Sequence, residues 1–486
     1  MIKQALNGGD EDRIIFCGSG ATAAINRLID ILGLRLPRDL DERYALSERI
    51  SNEARPVVFV GPYEHHSNEL PWRETIAEVV RIPLCTNGSI DSAALGQALR
   101  HYAQRPLLIG SFSAASNVTG IRSDVVGITR LLKAAGALAF WDYAAAAPYV
   151  RIDLNREGAQ MDAAFISTHK FVGGPGTPGI LAVKAQLLCN SVPAVVGGGT
   201  VAFVTPDSHR YLTDAERREE GGTPAIIESI RAGLVFALQQ RVGTDTIEEL
   251  ERDKVQRAME RLGANPKIDI LGPRKLDRLS IFSLRFLHAG EELHYGFVTA
   301  LLNDLFGIQA RGGCSCAGPY GHDLLGIDEA RSKALDACVA AGDTALRPGW
   351  VRVNFNYFID DSEFEYLLSA LELVAEHGWR ILPLYQLNRL NGLWTHRLAP
   401  ATQRASLFDT DFGVGRRSAG DAYDGILREA QAILLRGASA LELRAALADL
   451  PLSEAAERER WFTLPAHVAA TVLPRGASSH SADATG

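Results

Sequence analysis

Residues 166–180 read ISTHKFVGGPGTPGI. An apolar run, AAFIS (163–167), ends there in Ser167. Thr168, His169 and Lys170 follow directly, and a Gly/Pro-rich loop comes after them. The pattern predicts a buried strand that stops at Ser167 and delivers Lys170 just past its carboxyl end. In open α/β sheets, ligands bind beyond the carboxyl ends of the strands. A lysine held at that rim loses part of its hydration, which favours the neutral amine that covalent attachment to a carbonyl requires. On a plain surface loop the same residue would be an ordinary solvated lysine.

Outward from this segment the chain alternates short apolar runs with amphipathic stretches. IIFC (14–17), VVFV (57–60), LLIGSF (107–112), ALAFWD (137–142) and GILAVK (179–184) read as further buried strands. Ile25, Leu28, Ile29 and Leu32 carry helical spacing between the first two. The alternation predicts an α/β domain with a largely parallel sheet. A long helical stretch around 225–262 closes it. LSIFSLRF (279–286), FGIQARGG (306–313) and WVRVNFNYF (350–358) then predict strands, with helices near 291–305 and 361–376. The expected division is a large α/β domain at 1–255, a small α+β domain at 256–385 and a helical C-terminal extension at 386–486. That extension has helices near 420–436 and 439–448, and the last dozen residues, RGASSHSADATG, have a disordered composition.

Bulk properties narrow the class of function. A chain of 486 residues predicts two or three structural units. Its 47% hydrophobic and 22% charged shares are those of a globular protein with a full core. The net charge of −8 and the lack of any basic block give no support to a nucleic-acid surface. Six cysteines in such a length do not form a disulfide framework, and a reducing, cytoplasmic setting is the simpler inference. The opening MIKQALNGGDEDR has no apolar core of a signal peptide, and no apolar run reaches membrane-spanning length, so no membrane partner is expected.

CGSGATAAIN (17–26) follows a strand and opens a helix, and Gly18–Ala23 fits G-x-G-x-x-G/A. A dinucleotide site would need a following strand ending in an acid about 20 residues on, and LGLRLPRDLDERYALSER has no convincing strand. What remains is a helix N-terminus with free N–H groups suited to a phosphate, with Thr22 adding a hydroxyl, or else a simple structural turn. ALAFWD places Asp142 at the carboxyl end of its strand, 28 residues before Lys170. An acid there can hold a pyridine nitrogen protonated, as a pyridoxal-5′-phosphate (PLP) site requires. LLIGSF leads into SAASNVTG and brings Asn117 to the same rim.

Together these segments resemble the class V aminotransferases of PLP fold-type I, and within them the cysteine desulfurase and selenocysteine lyase branch. The resemblance spans roughly residues 13–380, with the motifs in the family's order. It implies a large mainly parallel α/β domain plus a small α+β domain, with PLP as cofactor. EHHSNELPW (64–72) resembles the segment whose first histidine, here His65, stacks on the cofactor ring and relays protons. SNVTG places Asn117 near the ring hydroxyl. STHK makes Lys170 the Schiff-base lysine that also removes the substrate's α-proton, with Ser167 and His169 near the phosphate. GATAAIN implicates Ala21 and Thr22 in phosphate binding. GGTPAI (221–226) makes Thr223 the residue that reaches the phosphate of a partner subunit, which implies a homodimer. VRVNFNYF places Arg352 where the family binds an amino-acid substrate's carboxylate. Taken singly these residues have plain readings: surface or core histidines, an Arg352 salt bridge, and a Thr223 that only caps the following helix.

RGGCSCAGPYGH (311–322) carries two cysteines at i and i+2. No second Cys/His cluster completes a tetrahedral metal set, so no metal is expected, and a disulfide between such neighbours would be strained. The family's mobile loop, Arg-x-Gly-x-x-Cys-Ala, fits Arg311, Gly313, Cys316 and Ala317. The resemblance then implies that Cys316 takes sulfur from cysteine, leaving alanine and an enzyme persulfide, with a sulfur-acceptor protein as partner. Transamination or another PLP reaction with Cys316 incidental, a nucleotide-dependent oxidoreductase, and a catalytically silent binding protein remain alternatives. There are departures from the family pattern. Ala145 stands where a glutamine is usual, and Cys314 where a cysteine is not. Only 17 residues precede Gly18 where the family has a strand and a loop over the active site, so a late start or a misassigned start codon is expected.

Overall fold

The computed structural model describes residues 1–398, 420–449 and 451–473. They group into two compact units rather than three. The first comprises Met1–Asp253, Pro273–Ser280 and Cys316–Tyr320, and the second Lys254–Gly272, Ile281–Ser315 and the described residues from Gly321 onward.

The first unit is built on a seven-stranded sheet of β1 (Asp12–Cys17), β2 (Val57–Val60), β3 (Glu78–Arg81), β4 (Leu108–Ser113), β5 (Leu138–Asp142), β6 (Ala163–Ser167) and β7 (Gly179–Lys184), in the spatial order β1-β7-β6-β5-β4-β2-β3. β2 to β6 run parallel, and only β7 opposes its neighbours. VVFV of β2, LIGSFS of β4 and AAFIS of β6 are buried at every position. Strands covered on both faces lose all polar alternation, which is why these runs were readable. β3, EVVR, was missed because it is a short, half-exposed edge strand with charged ends. Segment 33–56 forms the helix Arg38–Tyr44 and two short turns but no strand, which removes the dinucleotide reading.

The helix Gly20–Ile31 lays Ala21, Ala24, Ile25, Leu28 and Ile29 against β6 and β7, and all five are buried. The stretch expected as one helix at 225–262 is two, Ile226–Val242 and Thr244–Ala264. Gly243 separates them with φ +90°, a conformation that a helix cannot contain. A small exposed hairpin, β8 (Val201–Val204) and β9 (His209–Tyr211), was not anticipated.

The second unit holds an antiparallel sheet of β10 (Ile268–Ile270), β11 (Ile281–His288), β12 (Glu291–Leu293), β13 (Arg311–Gly313) and β14 (Trp350–Asn354), in the order β10-β11-β14-β13 with β12 beside β11. Of the strand expected at 306–313 only β13 exists. The helix Tyr295–Phe306 runs into it and ends at Gly307 in the left-handed region, where the N–H groups of Gly307 and Ile308 close back on Asn303 and Leu302. β12 likewise occupies the start of the helix expected at 291–305.

Residues 386–473 do not stand apart as an extension. β15 (Tyr385–Asn388) and β16 (Leu393–His396) form a hairpin, and the helices Gly420–Arg436, Ala440–Leu447, Glu454–Glu459 and Pro465–Val472 follow. Ala430, Leu434, Ala456, Phe462, Leu464 and Val468 lie in the same core as Phe297, Leu301 and Phe364. Amphipathic helices need an apolar partner, and these find it on the small sheet domain. The tail RGASSHSADATG lies outside the described residues.

One buried histidine marks this junction. His294 is 1% exposed. Trp461 stacks on it at 5.3 Å, and it accepts hydrogen bonds at Nδ1 from Gly296 N and Trp394 Nε1, both at 2.9 Å. Burial pushes its pKa down to about 4, only partly opposed by a hydrogen bond with the Ala345 carbonyl. A lowered histidine pKa means that the unfolded chain binds the proton first, so stability falls as pH drops from about 6.5 to about 4. Unfolding in urea at pH 7 and pH 5 should reveal a loss from this group of about 2 kcal/mol. The variant His294→Gln should flatten that part of the pH dependence.

Candidate active site

In the first unit, β1 ends at Cys17 and the chain turns through Gly18 and Ser19 into the helix Gly20–Ile31. Gly20 has φ +60°, and a Cβ there would stand 2.6 Å from His169 Cε1 and 2.9 Å from Ser167 Oγ. A Cβ on Gly179 would meet the Gly20 carbonyl at 2.0 Å. Two backbones therefore pass where only glycines fit. Ser167 Oγ accepts from Ala21 N at 2.9 Å, satisfying one orphan donor of the helix start. Ala21, Ser167 and His169 are thus gathered at one helix N-terminus, whose exposed dipole end favours an anion. Burial, and after it the charge of Lys170, holds the His169 pKa below its ordinary value.

β5 and β6 are parallel neighbours, and Asp142 ends β5 opposite Phe165. Asp142 is 4% exposed, and its Oδ1 accepts from Ala144 N at 2.7 Å. Its second oxygen has no hydrogen-bond partner among the described residues. Burial raises its pKa, while the Ala144 N–H and the charge of Lys170 pull it down. Lys170 sits at the end of a single helical turn, Thr168–Lys170, in the β6–β7 connection, and is exposed. The expected desolvation is absent because that turn carries it past the strand end. Thr177 Oγ1 braces the connection through Gly174 O at 2.7 Å and Thr168 Oγ1 at 2.9 Å. Asn117 lies in the turn after β4, where Ser116 Oγ accepts from Val118 N and Thr119 N, both at 3.1 Å.

Segment 64–68 holds more than the sequence disclosed. Glu64, 2% exposed, accepts from Ser113 N (2.9 Å), Ser113 Oγ (2.6 Å), Asn68 Nδ2 (2.7 Å) and Gly61 N (3.2 Å). Asn68 Oδ1 in turn accepts from Ser111 Oγ at 2.6 Å and Trp72 Nε1 at 3.3 Å. The neighbouring half-buried His65 accepts from Ser67 N at Nδ1 (3.1 Å), and the Ser67 hydroxyl contacts Thr22 Oγ1 at 2.6 Å. His65 and Thr22 are therefore linked through Ser67. His66 meets the cysteine loop: its N–H donates to Cys316 O at 2.8 Å, and its Nε2 accepts from Gly318 N at 2.9 Å. Ser315 and Cys316 hold φ of +56° and +57°, two successive side-chain-bearing residues in the left-handed region. Such strain persists only where surrounding contacts over-determine it, and His66 supplies two of them. The repeated polar residues of EHHSN were the available signal for Glu64, His66 and Ser67.

Arg352 and Cys314 belong to the second unit. Arg352 on β14 faces Arg311 on β13 and Ser283 on β11 in register. The two arginines line one cavity of about 550 Å³ with Asn354, Asn356 and Tyr423. Thr223 is exposed, three residues before the helix Ile226–Val242. All six cysteines are free thiols.

The model of the aminotransferase class-V family matches residues 1–331. The chain belongs to that family. Its members use PLP, and the chain is a PLP-dependent enzyme by class. A probable cysteine desulfurase of Halalkalibacterium halodurans is 29% identical over 327 residues, covering 65% of this chain and 72% of the relative. One of Streptomyces coelicolor is 25% identical over 380 residues, covering 77% and 79%. Among solved structures, the apo cysteine desulfurase of Thermococcus onnurineus has a TM-score of 0.61 at 22% identity, covering 77% of this chain and 82% of that one. The S-sulfonic acid form of the cysteine desulfurase CsdA from Escherichia coli has a TM-score of 0.60 at 23% identity, with the same coverage. The α/β architecture read from the strand runs is the fold these proteins share.

Burial raises the Glu64 pKa to about 7, against the lowering effect of its donors, and the nearby Asp142 charge adds to the rise. A raised carboxyl pKa means that the folded chain holds the extra proton, so stability is fullest below about 4.5 and declines as pH rises through about 7. Urea unfolding at pH 5 and pH 8 should show a decline from this group of up to about 3 kcal/mol. Glu64→Gln should remove it, and an unchanged slope in the variant would contradict the assignment.

Proposed function

We propose that this chain takes sulfur from cysteine, with PLP held by the residues gathered in the first unit. The reading rests on one observation above all. The Cys316 segment is hydrogen-bonded onto His66, in the same unit in which Asp142 ends β5 and Lys170 lies on the turn that follows its neighbour β6. The cofactor fits these residues. Asp142 offers a buried carboxyl oxygen with no other partner to a protonated ring nitrogen, and the glycine-lined N-terminus of Gly20–Ile31 offers N–H groups to a phosphate.

In this reading Lys170 carries the cofactor, and Ala21, Thr22, Ser167 and His169 hold its phosphate. Asn117 borders the ring oxygen, and His65 lies on the ring face, oriented by Ser67. When bound, PLP supplies the electron sink that acidifies the substrate's α C–H bond. Lys170 Nζ, once displaced by the substrate amine, takes the α-proton, and Arg352 binds the substrate carboxylate as a bidentate pair. Cys316 Sγ, as thiolate, bonds to the substrate sulfur as the Cβ–S bond breaks. The sulfur is oxidised to the persulfide level, the carbon is reduced to a methyl group after protonation, and alanine leaves. A protein thiol that accepts the persulfide sulfur completes the cycle.

We read the chain as a homodimer. Ile226, Ile227, Ile230, Leu234 and Leu238 are all exposed on the helix Ile226–Val242, and Phe203 and Val204 of the small hairpin are exposed as well. An apolar face of that kind calls for a partner, and Thr223 stands at its beginning, where it would reach the second copy's phosphate. No helix among the described residues is long and apolar enough to cross a membrane.

Borohydride reduction of the purified protein followed by peptide mapping should find phosphopyridoxyl on Lys170. A different lysine, or no chromophore, overturns the cofactor assignment. Cys316→Ala should keep the cofactor spectrum and lose sulfide and alanine production from cysteine by at least about 100-fold. Cys314→Ala should lose much less. Transamination of a keto acid by wild type, with no response to cysteine and no effect of Cys316→Ala, would assign the chain to the aminotransferase branch.

A further inference from the structure

Directly after Asp142 the chain turns away from the sheet, and Tyr143 becomes buried with 3% of its surface exposed. Its main-chain N–H donates to Phe165 O at 2.9 Å, but its hydroxyl makes no hydrogen bond among the described residues. Tyr143 lines a cavity of about 240 Å³ that lies wholly within the first unit. Arg122 and Asp153 stand in the same wall as Tyr143. Burial above all raises the pKa of the phenol, and the charges of those two residues act on it in opposite senses.

The charged groups around this cavity are unevenly engaged. Arg122 is paired with Glu248 at 2.7 Å and Asp277 at 3.3 Å. Asp124 accepts from Gly127 N at 2.8 Å as the cap of the helix Val125–Ala134. Asp153 accepts from Asn7 Nδ2 at 2.7 Å and Asn155 N at 3.2 Å. Arg151 and Arg156 also line the wall, yet among the described residues their side chains make neither an ion pair nor a hydrogen bond. Each carboxylate thus already has donors, whereas two guanidinium groups and one phenol have no acceptor. The N-terminal turn of Val125–Ala134 opens onto the same space and adds a positive dipole end.

We propose that this cavity binds a small oxyanion of phosphate or sulfate size, held by Arg151, Arg156 and the Tyr143 hydroxyl. Its volume is below the roughly 300 Å³ at which pockets for organic ligands begin, which excludes a nucleotide or a second PLP. The residues are separate from those gathered at the helix Gly20–Ile31. The site is nonetheless joined to Asp142, through the peptide bond to Tyr143 and through Ala114. Ala114 lines the cavity and donates from its N–H to Asp142 O at 2.9 Å. An anion that orders Tyr143 therefore also steadies the strand end that presents Asp142.

The test uses cofactor-loaded protein, so that the cofactor's own phosphate site is filled. Sodium phosphate, sulfate and acetate are titrated against sodium chloride at equal ionic strength, with heat of binding and melting temperature as readouts. Phosphate or sulfate should bind saturably and raise the melting temperature. Arg151→Gln combined with Arg156→Gln, both exposed positions, should weaken binding about tenfold or more, and Tyr143→Phe about fivefold. Acetate binding as well as phosphate would extend the ligand class to carboxylates at the same residues. A response equal to that of chloride, or one that persists unchanged in the double arginine variant, overturns the proposal. So does a cavity that holds water only, read as no anion effect together with a neutral Tyr143→Phe.

Discussion

The first unit is organised by a contact that needs two missing side chains. Gly20 and Gly179 let the start of a helix and the start of β7 pass so closely that a methyl group on either would collide with its surroundings. That approach brings Ala21 N onto Ser167 Oγ and seats the ring of His169 beside Gly20. Ser167 ends β6 and His169 lies two residues on, so the same contact fixes where β6 hands over to the turn bearing Lys170. The buried face of the helix then locks onto β6 and β7, and Asp142 follows by parallel pairing of β5 with β6. The apolar packing supplies the cohesion, but the glycine pair sets the register in which polar groups meet.

A second polar frame lies on the far side of Asp142. Glu64 takes four donors, two of them from Ser113, and Ser113 is the registered neighbour of Asp142 on β4. Two carboxyl groups therefore flank one strand end, each raised by burial and each raising the other's cost of ionisation. Of the two, only Asp142 keeps an oxygen without a partner. The satisfied member braces the loop that ends in His65 and His66, and the unsatisfied one remains available for chemistry.

The large sheet was legible because its inner strands are mostly apolar, almost wholly buried and end in polar residues at the rim. Lys170, Asp142 and Asn117 could be located by that rule alone. The turn at Thr168–Lys170 could not, and the exposure of Lys170 differs from expectation for that reason. The small hairpin misleads in the opposite sense: VAFV has the composition of a core strand, yet three of its four residues are exposed. Glu64 escaped notice because a single acid in a polar segment has no periodic signature, and two of its four donors come from Ser113, distant in the chain. The helices beyond 420 announced a need for an apolar partner without naming it. Only the shared core with Phe297 and Phe364 identifies that partner.

The placement of Phe462, Leu464 and Val468 in the core of the second unit has a consequence for synthesis. A nascent chain grows from its N-terminus, and domains emerging from the ribosome tend to fold as units. The seven strands of the large sheet are all in hand once residue 184 has emerged. The second unit cannot close until the chain has been made through Val468, since Phe462, Leu464 and Val468 are among its buried side chains. Its apolar helices must therefore wait, uncovered, through the translation of more than a hundred residues after β14. Ribosome pausing or premature termination between β14 and Phe462 would leave the first unit assembled and the second one open to chaperones and proteases.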